Sequence, residues 1–527
     1  MESALPSYTD YTSLLQLFKV HAARYKDNVL VHYQLPNSTE FKSLTYGQVD
    51  NISSYLASLW GPTISADTEC IALLSDDPAQ SILAFFTVLK LGRIFFPLST
   101  YRSKATVVHL LQKSNAGYLI ASTTHRIKAL ECAATLYDVS RFDIHIWDDF
   151  DIDQLIIATM TKAETSCKNG GDVNQSRDDA HNIRLEKDIS DSSVPVTWLQ
   201  SSGTTSEFPK AVLHTTRSIM YVVLEVFVKS IQEACPDLAM DSTDVILVTE
   251  KLFHGPAMIT LVRSILYGAS IVMFSNEIPT PREILDAADT YGATVMDMVP
   301  IFLMQLAQYL EQHAPADRYL AVLQRFKYCI CTGAPLSRPI GDFLRAKGLN
   351  VQNGYGMTET GALCISDVSK NNDYWYSINV TKDMMRYVSL EPIIKDMHQS
   401  SGEKVHPTAM EMEICKEDVI QHCIIICEDN AWTAVLIELN ENKASQFSAH
   451  EMASKANKYA PPHGIIFVPN MVCILPFDRK LPKTPKGTVK RKAVAATFAQ
   501  EIEQMYKNLS FNTYLDVALS YYEAHMA

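Results

Sequence analysis

The chain has 527 residues, 47% hydrophobic and 20% charged, with a net charge of −13. That length accommodates roughly two to four domains with a large core, and an acidic balance argues against a nucleic-acid-binding protein, which carries a basic footprint. No apolar run reaches the roughly 18 residues of a membrane span, and the opening MESALPSYTD lacks the basic and apolar regions of a secretory signal, so a cytoplasmic enzyme is expected.

The first 150 residues alternate two patterns. Leu14–Tyr25 has helical periodicity, Gln80–Leu91 is an apolar helix stopped at Gly92, and Ile94–Pro97 reads as a short buried strand. Such alternation predicts a layered α/β fold built on a parallel sheet. Residues 161–193 are polar and charged with a Gly-Gly pair, and read as a long surface loop. Beyond it, Val245–Val248 and Ser270–Phe274 read as buried strands and Ile301–Glu311 as a helix. A later unit carries strand-like runs at Cys423–Cys427 and Ala434–Leu439, and the tail from Phe498 reads as helical. The 11 cysteines form no CxxC pair, and Cys423 and Cys427 have no second ligand pair at zinc spacing, so free, buried thiols in a reducing compartment are expected.

One segment carries chemistry by composition. Between Trp198 and Lys210 the chain reads WLQSSGTTSEFPK. Glycine and small hydroxyl residues leave backbone N–H groups free and add O–H donors, so Ser201, Ser202, Gly203, Thr204 and Thr205 can wrap phosphate oxygens, with Lys210 as a point charge. It is not a Walker loop, because no second Gly precedes Lys210 and Ala211 follows it where Ser or Thr would hold a metal. Taken alone, it is either a phosphate loop or an ordinary turn.

With its neighbours the segment resembles the phosphate loop of the adenylate-forming superfamily, which includes acyl-CoA synthetases, luciferases and peptide-synthetase adenylation domains. The usual pattern there is SSGTTGxPK; here Ser206 replaces the second Gly and one extra residue precedes Pro209. Two further motifs follow in the order seen in that superfamily. Cys331–Ser337 (CTGAPLS) resembles the turn lying flat on adenine, which implies Gly333, Ala334 and Pro335 at the nucleotide. Asn353–Glu359 (NGYGMTE) resembles its nucleotide signature. That implies Asn353, Gly354 and Gly356 among the nucleotide-binding residues, with Tyr355 stacked on adenine, Thr358 on the AMP phosphate and Glu359 on Mg²⁺. A carboxylate on a hard cation that bridges phosphates is chemically sensible.

The resemblance also implies a substrate pocket. Leu252–Gly255 (LFHG) matches the segment in which a His gates the acid. Amino-acid-activating relatives carry Asp where this chain has His254, which favours an aryl or acyl acid without an α-amino group. Met298–Leu303 (MVPIFL) matches the next lining segment, bringing in Val299 and Pro300. Ser400–Glu411 resembles the opening of the small C-terminal domain, and Leu481–Lys492 (LPKTPKGTVKRK) the final catalytic loop. The wording of these two segments resembles adenylation domains of fungal peptide-synthetase-like carboxylate reductases.

Three positions depart from the family pattern. Most relatives carry Lys at the position occupied by Thr488; Lys486 or Lys490 would have to substitute. Thr381–Asp383 matches the ribose-binding motif, implying Asp383 on the ribose hydroxyls, yet it follows Glu359 after an unusually short gap. The hinge motif reads Pro392–Asp396 (PIIKD), with Lys395 at the hinge beside Asp396 and Ile393 in place of the ribose Arg. Losing that guanidinium and leaving its partners unpaired costs roughly 1–3 kcal/mol.

The resemblance therefore implies a large layered α/β adenylation domain over 1–390, a small mobile α+β C-terminal domain over 391–500, and a helical tail over 501–527. ATP and Mg²⁺ are the implied cofactors and a small-molecule carboxylic acid the substrate. The product would be an acyl-AMP, followed by thioester formation on coenzyme A or on a carrier protein in trans; neither a carrier nor a reductase domain is expected within the chain. The rival expectations are a pseudoenzyme that binds nucleotide without turnover, with residues 365–400 as the discriminating region, and a protein-interaction scaffold.

Overall fold

The computed structural model describes residues 13–136, 142–147, 152–159, 193–201, 208–232, 235–276, 279–313, 317–333, 336, 338–366, 397–398, 404–405, 407–426, 433–460, 466, 468, 471–483, 489 and 491–507. It divides into two compact units, Met1–Arg386 and Tyr387–Ala527. The polar segment read as a surface loop lies outside the described residues.

The large unit is α/β and contains two sheets rather than one. Its strands in chain order are β1 (Val29–Gln34), β2 (Phe41–Thr45), β3 (Cys70–Leu74), β4 (Ile94–Leu98), β5 (Ala116–Ser122), β6 (Asp143–Trp147), β7 (Pro195–Gln200), β8 (Ala211–Thr215), β9 (Val245–Val248), β10 (Ser270–Met273), β11 (Val295–Met298), β12 (Tyr328–Cys331), β13 (Val351–Met357) and β14 (Gly361–Ile365). Six strands form one sheet in the order β6-β5-β3-β4-β7-β8, and eight form the other in the order β14-β13-β12-β11-β9-β10-β1-β2. Both interiors are parallel, as the alternating pattern predicts. The pairs β7/β8, β13/β14 and β1/β2 are antiparallel and lie at sheet edges.

Burial explains why the central strands read as continuous apolar runs: parallel strands are covered on both faces. Ile71, Leu73 and Ile120 of the first sheet and Ile246, Val248 and Ile330 of the second belong to one shared core. The opposite faces carry separate cores, with Ala72, Leu74 and Leu119 on one sheet and Leu247, Met296 and Cys329 on the other. Strand residues therefore alternate between cores, as a period of two requires. The helix Pro78–Lys90 lies wholly within this interior, with every residue buried. It is capped by Asp77, whose carboxylate accepts from the N–H groups of Ala79 and Gln80 at 2.7 and 3.1 Å. The stop read at Gly92 is real: its φ is +64°, a backbone angle glycine reaches without cost.

A lysine ties the two sheets together. Lys251 is buried, and its ammonium donates to the carbonyls of Phe274 (2.9 Å) and Ser275 just after β10, and of Asp76 (3.4 Å) just after β3. Three residues later the chain reaches His254, so the candidate pocket segment starts from an anchored point.

The small unit contains the hairpin β15 (Met397–His398) and β16 (Lys404–Val405), and a sheet of β17 (Ile420–Ile426), β18 (Ala434–Leu439) and β19 (Val472–Ile474) in that order. The helices Pro407–Ile414 and Ala449–Ala456 pack on its core through Met410, Ile414, Met452 and Ala456. The tail read as helical contains a helix at Ala499–Lys507; residues beyond 507 lie outside the described residues.

Candidate functional site

The glycine-rich segment leaves β7 at Ser201 and returns to β8 at Lys210. Gln200 pairs with Ala211, and the ladder runs one step further: Ser201 N–H donates to Lys210 O at 2.9 Å, and Lys210 N–H donates to Ser201 Oγ at 3.0 Å. Ser202, Gly203, Thr204 and Thr205 lie outside the described residues. The returning arm is pinned by Phe208, whose ring stacks on His109 at 4.6 Å and 15°. His109 sits on the helix Lys104–Lys113, so the arm that carries the extra residue before Pro209 has an aromatic anchor.

The NGYGMTE segment is the tip of the second edge hairpin. Asn353, Gly354, Tyr355 and Gly356 lie on β13, and Thr358 and Glu359 form the turn into β14. Asn353 is buried, with its N–H on Ser366 Oγ at 2.9 Å. Tyr355, by contrast, is 43% exposed. Gly356 allows the strands to touch: a Cβ there would stand 2.4 Å from Gly361 O and 2.7 Å from Ala362 Cα. Gly333 follows β12 with φ of +88°; Ala334 and Pro335 lie outside the described residues.

The two hairpins meet although 144 residues separate their contact. His214 of β8 places Nε2 2.8 Å from the carbonyl oxygen of Thr358. A carbonyl only accepts, so Nε2 carries the proton. Burial lowers the His214 pKa, and the Thr358 carbonyl and the Glu359 charge oppose that only in part, which keeps the imidazole neutral. Lys210 Nζ lies 4.0 Å from Glu359 Oε1, with both side chains about half exposed. At that separation in solvent the pair contributes little stability. One cation and one carboxylate therefore stand together, each about half exposed.

Among the described residues no group of three or more His, Cys, Asp or Glu is arranged to hold a metal. The single carboxylate of Glu359 still fits magnesium, which keeps several waters and takes phosphate oxygens rather than an all-protein cage.

His254 caps the helix Gly255–Tyr267 through its backbone, with its ring 4.7 Å from that of Phe253. Leu199 of β7 lies beside Gly255, which brings this segment against the first hairpin. In the second turn of the helix, Ile259 reaches Gly361, where Val222 from the buried segment Val222–Val228 also packs. The wall between His254 and the second hairpin is thus apolar. Val299 and Pro300 are both buried, and Val299 joins the core on the far face of the eight-stranded sheet.

Sequence reading passed over two groups here. His214 is one, signalled only as a polar residue in an apolar strand. The other is a buried pair: Arg263 donates to Asp297 Oδ2 at 2.5 Å, Thr260 Oγ1 donates to the same oxygen at 2.6 Å, and the guanidinium lies 4.7 Å over the Phe227 ring.

Asp383 near the end of the large unit, and Lys395, Asp396, Lys486 and Lys490 in the small unit, lie outside the described residues. Both ends of the final loop are nonetheless anchored. Lys483 binds the buried carboxylate of Glu438 at 2.8 Å, Arg491 binds Glu411 at 2.7 and 3.0 Å and donates to Ile425 O, and Lys483 bridges Val489.

Comparison with known proteins matches residues 18–388 to the family model described as AMP-binding enzyme, and 396–510 to the AMP-binding enzyme C-terminal domain. An adenylate-forming reductase of Aspergillus terreus is 20% identical over 94% of this chain and 50% of its own length. The adenylate-forming reductase Nps11 of Serpula lacrymans is 23% identical over 85% of this chain and 45% of its own, so the chain spans about half the length of these relatives. The long-chain-fatty-acid–CoA ligase FadD13 of Mycobacterium tuberculosis is 21% identical over 86% and 94%. Two solved structures share the fold. The A-PCP didomain of a carboxylic acid reductase from Segniliparus rugosus, in complex with AMP, has a TM-score of 0.66 at 12% identity, covering 95% of this chain and 84% of its own. The o-succinylbenzoate CoA synthetase of Bacillus subtilis has 0.60 at 15%, covering 91% and 98%. No helix among the described residues is long and apolar enough to cross a membrane.

Proposed function

The chain belongs to the AMP-binding enzyme family, and from that premise we propose that it uses ATP to activate an aryl or acyl carboxylic acid as an acyl-AMP, releasing pyrophosphate. The observation that carries this reading is the junction of the two hairpins, where His214 bonds the Thr358 carbonyl and Lys210 faces Glu359.

Each residue then has a defined task. The backbone and hydroxyl groups of Ser201–Thr205 hold the β- and γ-phosphates, and Lys210 offsets their charge. Tyr355 stacks on adenine, beside the turn of Gly333, Ala334 and Pro335. Thr358 holds the α-phosphate, and Asp383 the ribose. Glu359 would hold a magnesium ion, which would supply positive charge to the phosphates. His254 admits the acid, and the apolar wall of Val222 and Ile259 receives its body. No carboxylate stands at 254 to bind an ammonium, which disfavours an amino acid. Lys486 or Lys490, carried by the final loop on its hinge at Lys395 and Asp396, stabilises charge developing at the α-phosphate. The activated acyl group then passes to coenzyme A or to a carrier protein in trans.

Thr488 and Ile393 favour one second reading, a nucleotide-binding pseudoenzyme. Pyrophosphate exchange into ATP separates the two, run with aryl acids, fatty acids and amino acids. Exchange with an aryl or fatty acid that is lost in Lys486→Ala or Lys490→Ala supports activation. Exchange with no acid, while ATP still raises the melting temperature, establishes the second reading. Exchange with amino acids alone would overturn the substrate class.

A further inference from the structure

The small unit contains two neighbouring thiols, one at its surface and one in its core. Cys415 follows the helix Pro407–Ile414, and Cys423 lies on β17; their sulfurs stand 3.5 Å apart. Cys415 is exposed and Cys423 buried. A disulfide needs an S–S length near 2.0 Å, so closure asks for a movement of about 1.5 Å at an exposed helix end.

We propose that Cys415 and Cys423 form a redox site that closes reversibly to a disulfide under a hydroperoxide. The Cys415 thiolate attacks one peroxide oxygen, breaks the O–O bond and becomes a sulfenic acid, releasing hydroxide that takes up a proton as water. The Cys423 sulfur then attacks the sulfenic sulfur, forming the S–S bond and expelling a second water. Two thiols lose two electrons and one peroxide gains them. A small thiol reverses the step by exchange.

The division of roles follows from the surroundings. A hydrogen bond from the Cys423 thiol holds the Cys415 pKa down, at about 7, against the effect of burial. The same contact, together with burial, pushes Cys423 up. The exposed sulfur is therefore the attacking one and the buried sulfur the resolving one. Closure also has a local consequence. Cys415 lies one helical turn after Glu411, whose carbonyl faces the Cys423 sulfur at 3.6 Å and whose carboxylate holds Arg491 at the end of the final loop. A covalent tie forms beside the anchor of that loop.

The test uses the full chain, treated with a modest excess of hydrogen peroxide, alkylated, digested with trypsin and read by mass. The expected product joins peptide 405–416 to peptide 417–443 with loss of two hydrogens, fragments at Cys423 rather than Cys427, and reverts with dithiothreitol. Cys415→Ser, a change at an exposed position, abolishes the linkage and leaves Cys423 alkylatable, and Cys423→Ser leaves Cys415 as a sulfenic acid that a dimedone probe captures. Both thiols remaining alkylatable, a linkage through Cys427, or a sulfinic acid at Cys415 without linkage would each overturn the proposal. These outcomes do not depend on whether any acid is adenylated.

Discussion

His214 Nε2 and the Thr358 carbonyl oxygen, 2.8 Å apart, join the edge of one sheet to the edge of the other. Removing the donor leaves a carbonyl without its partner at the turn that carries Glu359. His214→Ala should cost about 1–2 kcal/mol of stability and reduce pyrophosphate exchange about tenfold. His214→Gln keeps an N–H donor and should recover part of both. Urea unfolding and exchange kinetics on the two variants check this; equal losses in both would argue against the hydrogen bond.

Glu359→Gln and Lys210→Met should separate function from stability. The pair is exposed and 4.0 Å apart, so melting should barely move. Exchange should fall about a hundredfold in each, the scale of losing one preorganised electrostatic group. A variant that melts several degrees lower yet exchanges normally would assign the pair a structural role.

Gly356→Ala should open the second hairpin. The new Cβ would meet Gly361 O and Ala362 Cα, backbone atoms that cannot rotate away. A destabilisation of about 1–3 kcal/mol is expected, with weakened nucleotide binding, as measured by thermal shift with and without ATP.

The pair Arg263–Asp297 is almost fully buried, at 1% and 8% side-chain exposure. Asp297→Leu strands the guanidinium and should cost about 3–5 kcal/mol. Combining it with Arg263→Met removes both charges and should recover most of that loss. Denaturant midpoints of the two single variants and the double form the cycle; additive losses would rule out coupling.

Three histidines should set an acid limit. Burial, aided by Arg24, lowers His21 to about 4, burial lowers His32 to about 4, and burial also lowers His214. All three are neutral when folded. An unfolded imidazole takes up its proton near pH 6.5, so their contribution is complete above about 6.5. It is lost progressively as pH falls from there toward 4, because only the unfolded chain gains protons. Melting temperature against pH should show this decline, and His21→Phe should make it shallower.

The elements most legible in the sequence were those whose signal is local. Ala434–Leu439 is buried at every position and apolar at all but Glu438, and Leu14–Arg24 has a Ser13 cap and a helical apolar stripe. Within NGYGMTE, close backbone approach restricts residue type, as at Gly356. The division into two sheets was not legible: β4 and β7 pair across the polar segment, and no local pattern reports that. Arg263 and Asp297 lie 34 residues apart and His109 and Phe208 further still. Such partners are chosen by packing, after the chain has folded.

The antiparallel edges also bear on motion. β8 and β14 each have one strand neighbour, whereas the parallel strands behind them have two. Opening such an outer strand breaks a single ladder and leaves the interior sheet paired. Amide protons of Ala211–Thr215 and Gly361–Ile365 should therefore exchange faster than those of β3 or β9, and should slow together when nucleotide bridges the two hairpins. Loosening by ligand release would be confined to the two borders, and the layered body of the unit would keep its order through each turnover.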